Sequence, residues 1–394
     1  MKIPYGKHYI DRSDILSVSK ALKNKSITQG PLVEKFEKKV CKLVKAKYAV
    51  AVSSCSAGLH IAVAALSKDS KSKNQIITSP ISFVSTANAI IHNNLKPIFL
   101  DINKSTLNLD INELRKTLNI NKKVKAIMPV HLAGNPLDSK RLYAYAKKKK
   151  LYVIEDAAHS FGAKYEDGSI VGSCKYSDLT VFSYHPVKTV TTGEGGIVTT
   201  NSKEIYQKLL KLRSHGIEKN FKSWKDRKLG FTKKNKNIWY YEMQDLGFNY
   251  RITDIQCALG ISQLNKLNKI MNKRKKIAKY YDDSFKNLEH VFIPQFKRRE
   301  KSSNHLYILN FDFKKLNFSR NQLMKKLLNK NIITQVHYIP IPMHPYFKKR
   351  GYKITSIKNA LKYYSQALSI PIFYNLNNKN QRYVIESIKK IIKK

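Results

Sequence analysis

The chain has 394 residues, 42% of them hydrophobic, which is enough for one large core plus a smaller one and too apolar for a disordered protein. Its formal net charge of +47 comes from 74 basic and 27 acidic residues, but only 12 of the basic ones are arginine and 62 are lysine. Phosphate and base recognition draws on the planar fork of arginine, and no zinc-finger, RNA-binding or base-reading helical pattern occurs, so a basic nucleic-acid-binding or regulatory protein is the least favoured reading and loose adhesion to polyanions is expected. The four cysteines, Cys41, Cys55, Cys174 and Cys257, form no C-x-x-C pair and read as reduced thiols of a cytoplasmic protein. The start, Met1-Lys2-Ile3-Pro4-Tyr5-Gly6, lacks the apolar run of a signal peptide. The most apolar segment, 48–66, is interrupted by Ser53, Ser54, Ser56 and His60, which predicts a buried strand and helix rather than a membrane span.

In chain order, short β-branched runs alternate with longer helical patterns. Strands are predicted at 48–53, 75–78, 96–100, 126–130, 151–155, 179–183 and 197–200, and helices at 57–67, 85–92 and 139–149. Such βαβ alternation means a mostly parallel sheet covered on both faces. A helix over 203–214 is followed by a Lys/Asn-rich stretch, 219–237, without apolar rhythm, which reads as a loop. A long helical stretch, 253–285, leads into a smaller layer with strands at 306–311 and 332–336 and helices at 319–330 and 378–392. The expectation is an α/β protein with a large domain over 1–252, and a connecting helix and small C-terminal α/β domain over 253–394.

Ligands of open parallel sheets bind beyond the carboxyl ends of the strands, and several candidate residues fall there. Lys188 follows the 179–183 strand within Ser183-Tyr184-His185-Pro186-Val187-Lys188, a segment poor in charge. Partial burial there lowers the pKa of the amine and suits it to Schiff-base chemistry. Asp156 stands at the end of another strand, where an aspartate could bind a protonated pyridine nitrogen and strengthen the electron sink of pyridoxal phosphate. An aspartate at that turn also serves as a helix N-cap; the presence of Lys188 gives the functional reading the lead. Ser53-Ser54-Cys55-Ser56-Ala57-Gly58 joins a strand to a helix with small residues, as a phosphate at a helix N-terminus requires. Ser183 adds a hydroxyl, and Phe83 either stacks on a planar ring or fills core. His337 and His344 lack metal-ligand spacing with a nearby carboxylate, so no metal is expected. Gly193–Gly196 lacks the Lys-[Ser/Thr] of a nucleotide P-loop.

The run Asp156-x-x-His159, Ser183-x-His185-x-x-Lys188 and Gly193-Glu194-Gly195-Gly196 resembles the sugar aminotransferases of the DegT/StrS type, a branch of the fold-type I, aspartate-aminotransferase-like pyridoxal-phosphate enzymes. Ile27-Thr28-Gln29-Gly30-Pro31, 129–136, 213–216, Gly247-Phe248-Asn249-Tyr250-Arg251 and 253–256 extend the resemblance nearly end to end. It implies that Lys188 and Asp156 are catalytic. It also implies that Ser56, Ala57, Phe83, His159, Ser183 and Asn249 join them in holding the cofactor, with Asn249 reaching the phosphate site of a neighbouring subunit in a homodimer. Tyr5, Thr28, His185, Glu194, Tyr240, Arg251, His305 and His337 would face the substrate. Ser53 departs from the pattern, since many relatives carry Asn there. Segments 238–242, 302–307 and 335–340 resemble the branch of the family that serves pseudaminic-acid biosynthesis. That resemblance implies L-glutamate as amino donor and a UDP-linked 4-keto-6-deoxy-N-acetylhexosamine as acceptor, aminated at C4.

Overall fold

The structure, a computed structural model, describes residues 2–66, 72–226, 228–295 and 299–393. Seven strands form the main sheet: β1 Tyr48–Val52, β2 Gln75–Thr78, β3 Lys96–Phe99, β4 Val124–Met128, β5 Tyr152–Asp156, β6 Leu179–Ser183 and β7 Gly196–Thr200. Their order is β1-β7-β6-β5-β4-β2-β3, and only β7 runs against its neighbours. Both faces are covered, so the strands read as continuous apolar runs rather than alternating ones. Along β1, Val50 and Val52 pack with the helix Cys55–Ala65 on one face, while Ala49 and Ala51 pack with Phe36 and Phe182 on the other.

Three local signals fix how the chain enters and leaves this sheet. Ser54 caps the helix Cys55–Ala65 by accepting the Ala57 N–H at 3.1 Å. Gly196 lets β7 run against that turn, because a Cβ there would stand 2.6 Å from the Ser54 carbonyl oxygen and 2.7 Å from the Cys55 nitrogen. Asp254 begins the helix Asp254–Asn265 and accepts the N–H groups of Gly30 and Leu32, tying that helix to the N-terminal helix Pro31–Val44.

A second sheet of three antiparallel strands, Val291–Phe292, Tyr307–Phe311 and Ala367–Ile370, carries the helices Arg320–Asn329 and Asn378–Ile392 over its own core. Three expectations are corrected. Residues 332–336 form no strand: only single bridges from Ile332 to Ile3 and from Gln335 to Ser369 occur, and Ala367–Ile370 takes the place beside Tyr307–Phe311. The stretch 253–285 breaks at Lys266, whose side chain turns back to Asp11 and Asp14, into Asp254–Asn265 and Leu267–Phe285. Within 219–237, a short 3-10 turn (Phe221–Ser223) and a two-residue hairpin (Phe231–Thr232 with Asn235–Lys236) replace the plain loop, packed on Trp224. Ser67, the last residue of the expected 57–67 helix, and Arg227 lie outside the described residues. No helix among the described residues is long and apolar enough to cross a membrane.

Candidate active site

Five strand ends converge on one cleft of about 710 Å³. Ser54 and Ser56 follow β1, Ser82 and Phe83 follow β2, Val130 follows β4, and Asp156 and Ser183 end β5 and β6; all of them line it. The opposite wall comes from the second sheet's side of the molecule, through His305, His337 and Tyr338. Of the residues expected in the site, Tyr5, Ser56, Phe83, Asp156, His159, Ser183, His185, Lys188, Glu194, His305 and His337 meet here.

The others stand elsewhere in this chain. Ala57 lines an adjoining cavity behind the serine turn, together with His60, His92 and Tyr250. Thr28 is bridged to Thr253, Asn249 to Ser214 and Arg251 to Val52. Tyr240 packs on Trp224 and donates to the Asp226 carbonyl oxygen. None of these five lines the cleft.

Lys188 is half-buried and lines the cleft, and burial pulls its amine down from the usual 10.5 to about 8; Cys55 and Asp156 oppose this and Arg274 adds to it. About one lysine in ten is then a free amine at pH 7, where an ordinary one is almost fully charged. Asp156 is sealed except toward the cleft. Burial raises its carboxyl, against the Thr86 hydroxyl, the Ala158 N–H and Lys188, which hold it down. Thr86 donates to Oδ2 at 2.6 Å, so Ser82, 2.6 Å from Thr86, must donate to Thr86 in turn; the Ala158 N–H donates to Oδ1 at 3.1 Å. The carboxylate therefore keeps acceptor capacity toward the cleft.

The histidine wall is uncharged. Burial first, and then the Lys188 charge, carries His337 down to about 3 and His159 and His305 well below their ordinary value. The Ala133 N–H donates to His159 Nδ1 at 3.3 Å, which places the proton on Nε2; Nε2 then donates to the Tyr338 hydroxyl oxygen at 3.1 Å. Tyr338 is left free to donate its own hydrogen into the cleft.

This donor and acceptor set fits pyridoxal phosphate. A desolvated amine, a buried carboxylate with spare acceptor capacity and a small-residue turn at a helix N-terminus open onto one space. Phe83, 57% exposed, offers a ring to that space instead of filling core. Sequence reasoning missed Thr86, Tyr338 and Arg274. Thr86 carries no pattern of its own. Arg274 does: it interrupts the apolar stripe Ile270, Ile277, Ala278 and Tyr281 on one helix face.

The DegT/DnrJ/EryC1/StrS aminotransferase family matches residues 8–389. The chain is 36% identical over 393 residues to the UDP-4-amino-4,6-dideoxy-N-acetyl-β-L-altrosamine transaminase of Campylobacter jejuni, covering 100% of this chain and 98% of that protein. Its structure superposes on Helicobacter pylori PseC, an aminotransferase involved in the biosynthesis of pseudaminic acid, with a TM-score of 0.90, 31% identity and full coverage of both chains. The sugar aminotransferase Spr1654 of Streptococcus pneumoniae, solved in PLP and PMP forms, matches at 25% and 26% identity with TM-scores of 0.87 and 0.88, over 99% or more of each chain.

Proposed function

The chain belongs to the DegT/DnrJ/EryC1/StrS aminotransferase family, and from that premise we propose that it moves the amino group of L-glutamate to C4 of a UDP-linked 4-keto-6-deoxy-N-acetylhexosamine. The product is UDP-4-amino-4,6-dideoxy-N-acetyl-β-L-altrosamine, as in pseudaminic acid biosynthesis. It is a sugar aminotransferase that works with pyridoxal phosphate. One observation carries the placement of its chemistry: Lys188, Asp156 and the Ser54–Ser56 turn share a cleft walled by uncharged histidines. The names of the Campylobacter and Helicobacter relatives support the choice of sugar.

Pyridoxal phosphate, when bound, supplies an electron sink for the charge that develops at the donor carbon. The chain's own residues do the rest. Lys188 Nζ, partly unprotonated at neutral pH, is the group that joins the cofactor and that takes up and returns the proton at the reacting carbon. Asp156 holds a protonated ring nitrogen through its free acceptor sites, while Thr86 and the Ala158 N–H fix the carboxylate plane. Ser56 and Ser183, with Ala57 from the adjoining cavity behind the serine turn, would hold the phosphate, and Phe83 and His159 would hold the ring. Tyr5, His185, Glu194, His305 and His337 face the sugar from the cleft wall. The uncharged histidines act there as hydrogen-bonding groups that do not compete with Lys188 for a proton.

Thr28, Tyr240, Asn249 and Arg251 stand outside their own chain's cleft, and we read them as serving the site of a second copy in a homodimer. The exposed Ile238, Trp239, Met243 and Leu246 beside them support that reading. Four free cysteines fit a cytoplasmic enzyme.

Reconstitution with pyridoxal phosphate should give a visible absorption band that Lys188→Ala abolishes, with turnover falling at least ~10³-fold. Offering the pyridoxamine form a panel of UDP- and dTDP-linked keto sugars, with products identified by NMR, tests the acceptor. Turnover of a D-configured epimer or amination at C3, without turnover of the L-altrosamine precursor, overturns the assignment.

A further inference from the structure

Arg274 lies on the buried face of the helix Leu267–Phe285 and is 2% exposed. Its Nη1 donates to three carbonyl oxygens, those of Asn304 at 3.3 Å and of His305 and Ile372 at 3.2 Å. Its Nε has no partner. No ion pair answers its charge among the described residues, and burial is the one influence on it, pulling the guanidinium down to about 10. Sealing an unpaired cation costs several kcal/mol that a methionine or leucine of similar volume would not. The three carbonyls explain how it is tolerated, and their position suggests what it does. His305 lines the cleft beside Lys188, and the Ile372 N–H donates to the carbonyl oxygen of Tyr5, another cleft residue.

We propose that Arg274 is a positioning residue of the aminotransferase site: its carbonyl clamp fixes the His305 and Tyr5 walls and keeps a buried cation behind the cleft that Lys188 lines. The groups facing Lys188 fall into two sets. Cys55 and Asp156 favour its charged form, and Arg274 disfavours it. His159, His305 and His337, held neutral, and His185 and Glu194 at the rim complete the surroundings. Arg274 is thus the one guanidinium among them, and it stays largely charged around pH 8, where Lys188 titrates.

The inference rests on Lys188 being the cofactor lysine, and the two are separable. The rate at which the protein captures added pyridoxal phosphate, followed as the visible band from pH 6 to 10, reports the free amine. If Lys188→Ala still forms the band, the reading of Lys188 fails. If Lys188→Ala loses it, the pH midpoint tests Arg274. Arg274→Met, which leaves no charge behind the cleft, should move the midpoint up by roughly half a unit. Circular dichroism and melting certify that each variant is folded. Should Arg274→Met fail to fold, Arg274→Gln, which retains a donor for the carbonyls and no charge, must show the same rise. A folded neutral variant with an unmoved midpoint overturns the proposal.

Discussion

Glu155 and Asp156 are neighbours on β5, and strand alternation sends their carboxylates to opposite sides of the sheet. Behind the sheet, Glu155 has no exposed surface and accepts from Ser139 at 2.7 Å, Tyr165 at 2.6 Å and Thr180 at 2.9 Å, with His131 Nε2 at 3.1 Å. The Leu137 N–H on His131 Nδ1 leaves the imidazole proton on the nitrogen facing Glu155. Burial works to raise Glu155, but His131, Tyr165 and Ser139 outweigh it and hold the carboxyl below its usual range. In front, Asp156 has two donors, and burial wins. The contrast separates a carboxylate locked into the fold from the one we propose as functional. Glu155 has its acceptor sites filled and is locked into the fold, whereas Asp156 keeps sites open toward a cleft and can take a cationic partner.

The contrast can be broken at either end. Glu155→Ala strands three hydroxyl donors and the His131 ring in the core and should destabilise the protein by about 3–5 kcal/mol, read by denaturant melts. Cofactor capture should survive in whatever fraction stays folded; loss of capture in folded protein would erase the division of roles. Asp156→Asn should do the reverse, lowering turnover about 10²-fold while the melting temperature barely moves. A melting loss as large as that of Glu155→Ala would show that Asp156 is structural too.

Lys188→Met sharpens the electrostatic side. Between pH 8 and 10.5 the unfolded lysine binds a proton that the folded one refuses, so the cofactor-free wild type gains stability as pH rises through that window. The variant should be about 2 kcal/mol more stable than wild type at pH 7, allowing for water in the cleft. That gap should close toward pH 10.5 in thermal melts, and equal stability at pH 7 would mean the amine carries no burial cost. The smallest expected effect is that of Thr86→Val. Losing one donor to Asp156 should weaken pyridoxal phosphate binding by about 1 kcal/mol, some fivefold in Kd, measured by equilibrium titration.

Much of the fold was legible because it rests on local periodicity. The bounds of β2, β6 and the helices Ser85–His92 and Asn378–Ile392 coincide with those expected from the sequence. Residues 332–336 look like a strand, but pairing is a property of neighbours, and Ala367–Ile370 outcompetes them for the edge of Tyr307–Phe311. In the site, Lys188, Asp156, Ser183 and Ser56 were readable because strand ends in a parallel sheet all face one way. Thr86 and Tyr338 were not, since their partners, Asp156 and His159, lie far away in the chain.

The sequence by itself determined which chemical groups stand at the carboxyl ends of the strands, through the alternation of apolar runs and small-residue turns. Only the tertiary structure decided how much water each group keeps. Desolvation depends on everything packed around an atom: it makes Lys188 a partly free amine and lowers the unpaired Arg274, and, set against the donors that the fold gathers around each carboxylate, it separates Asp156 from Glu155.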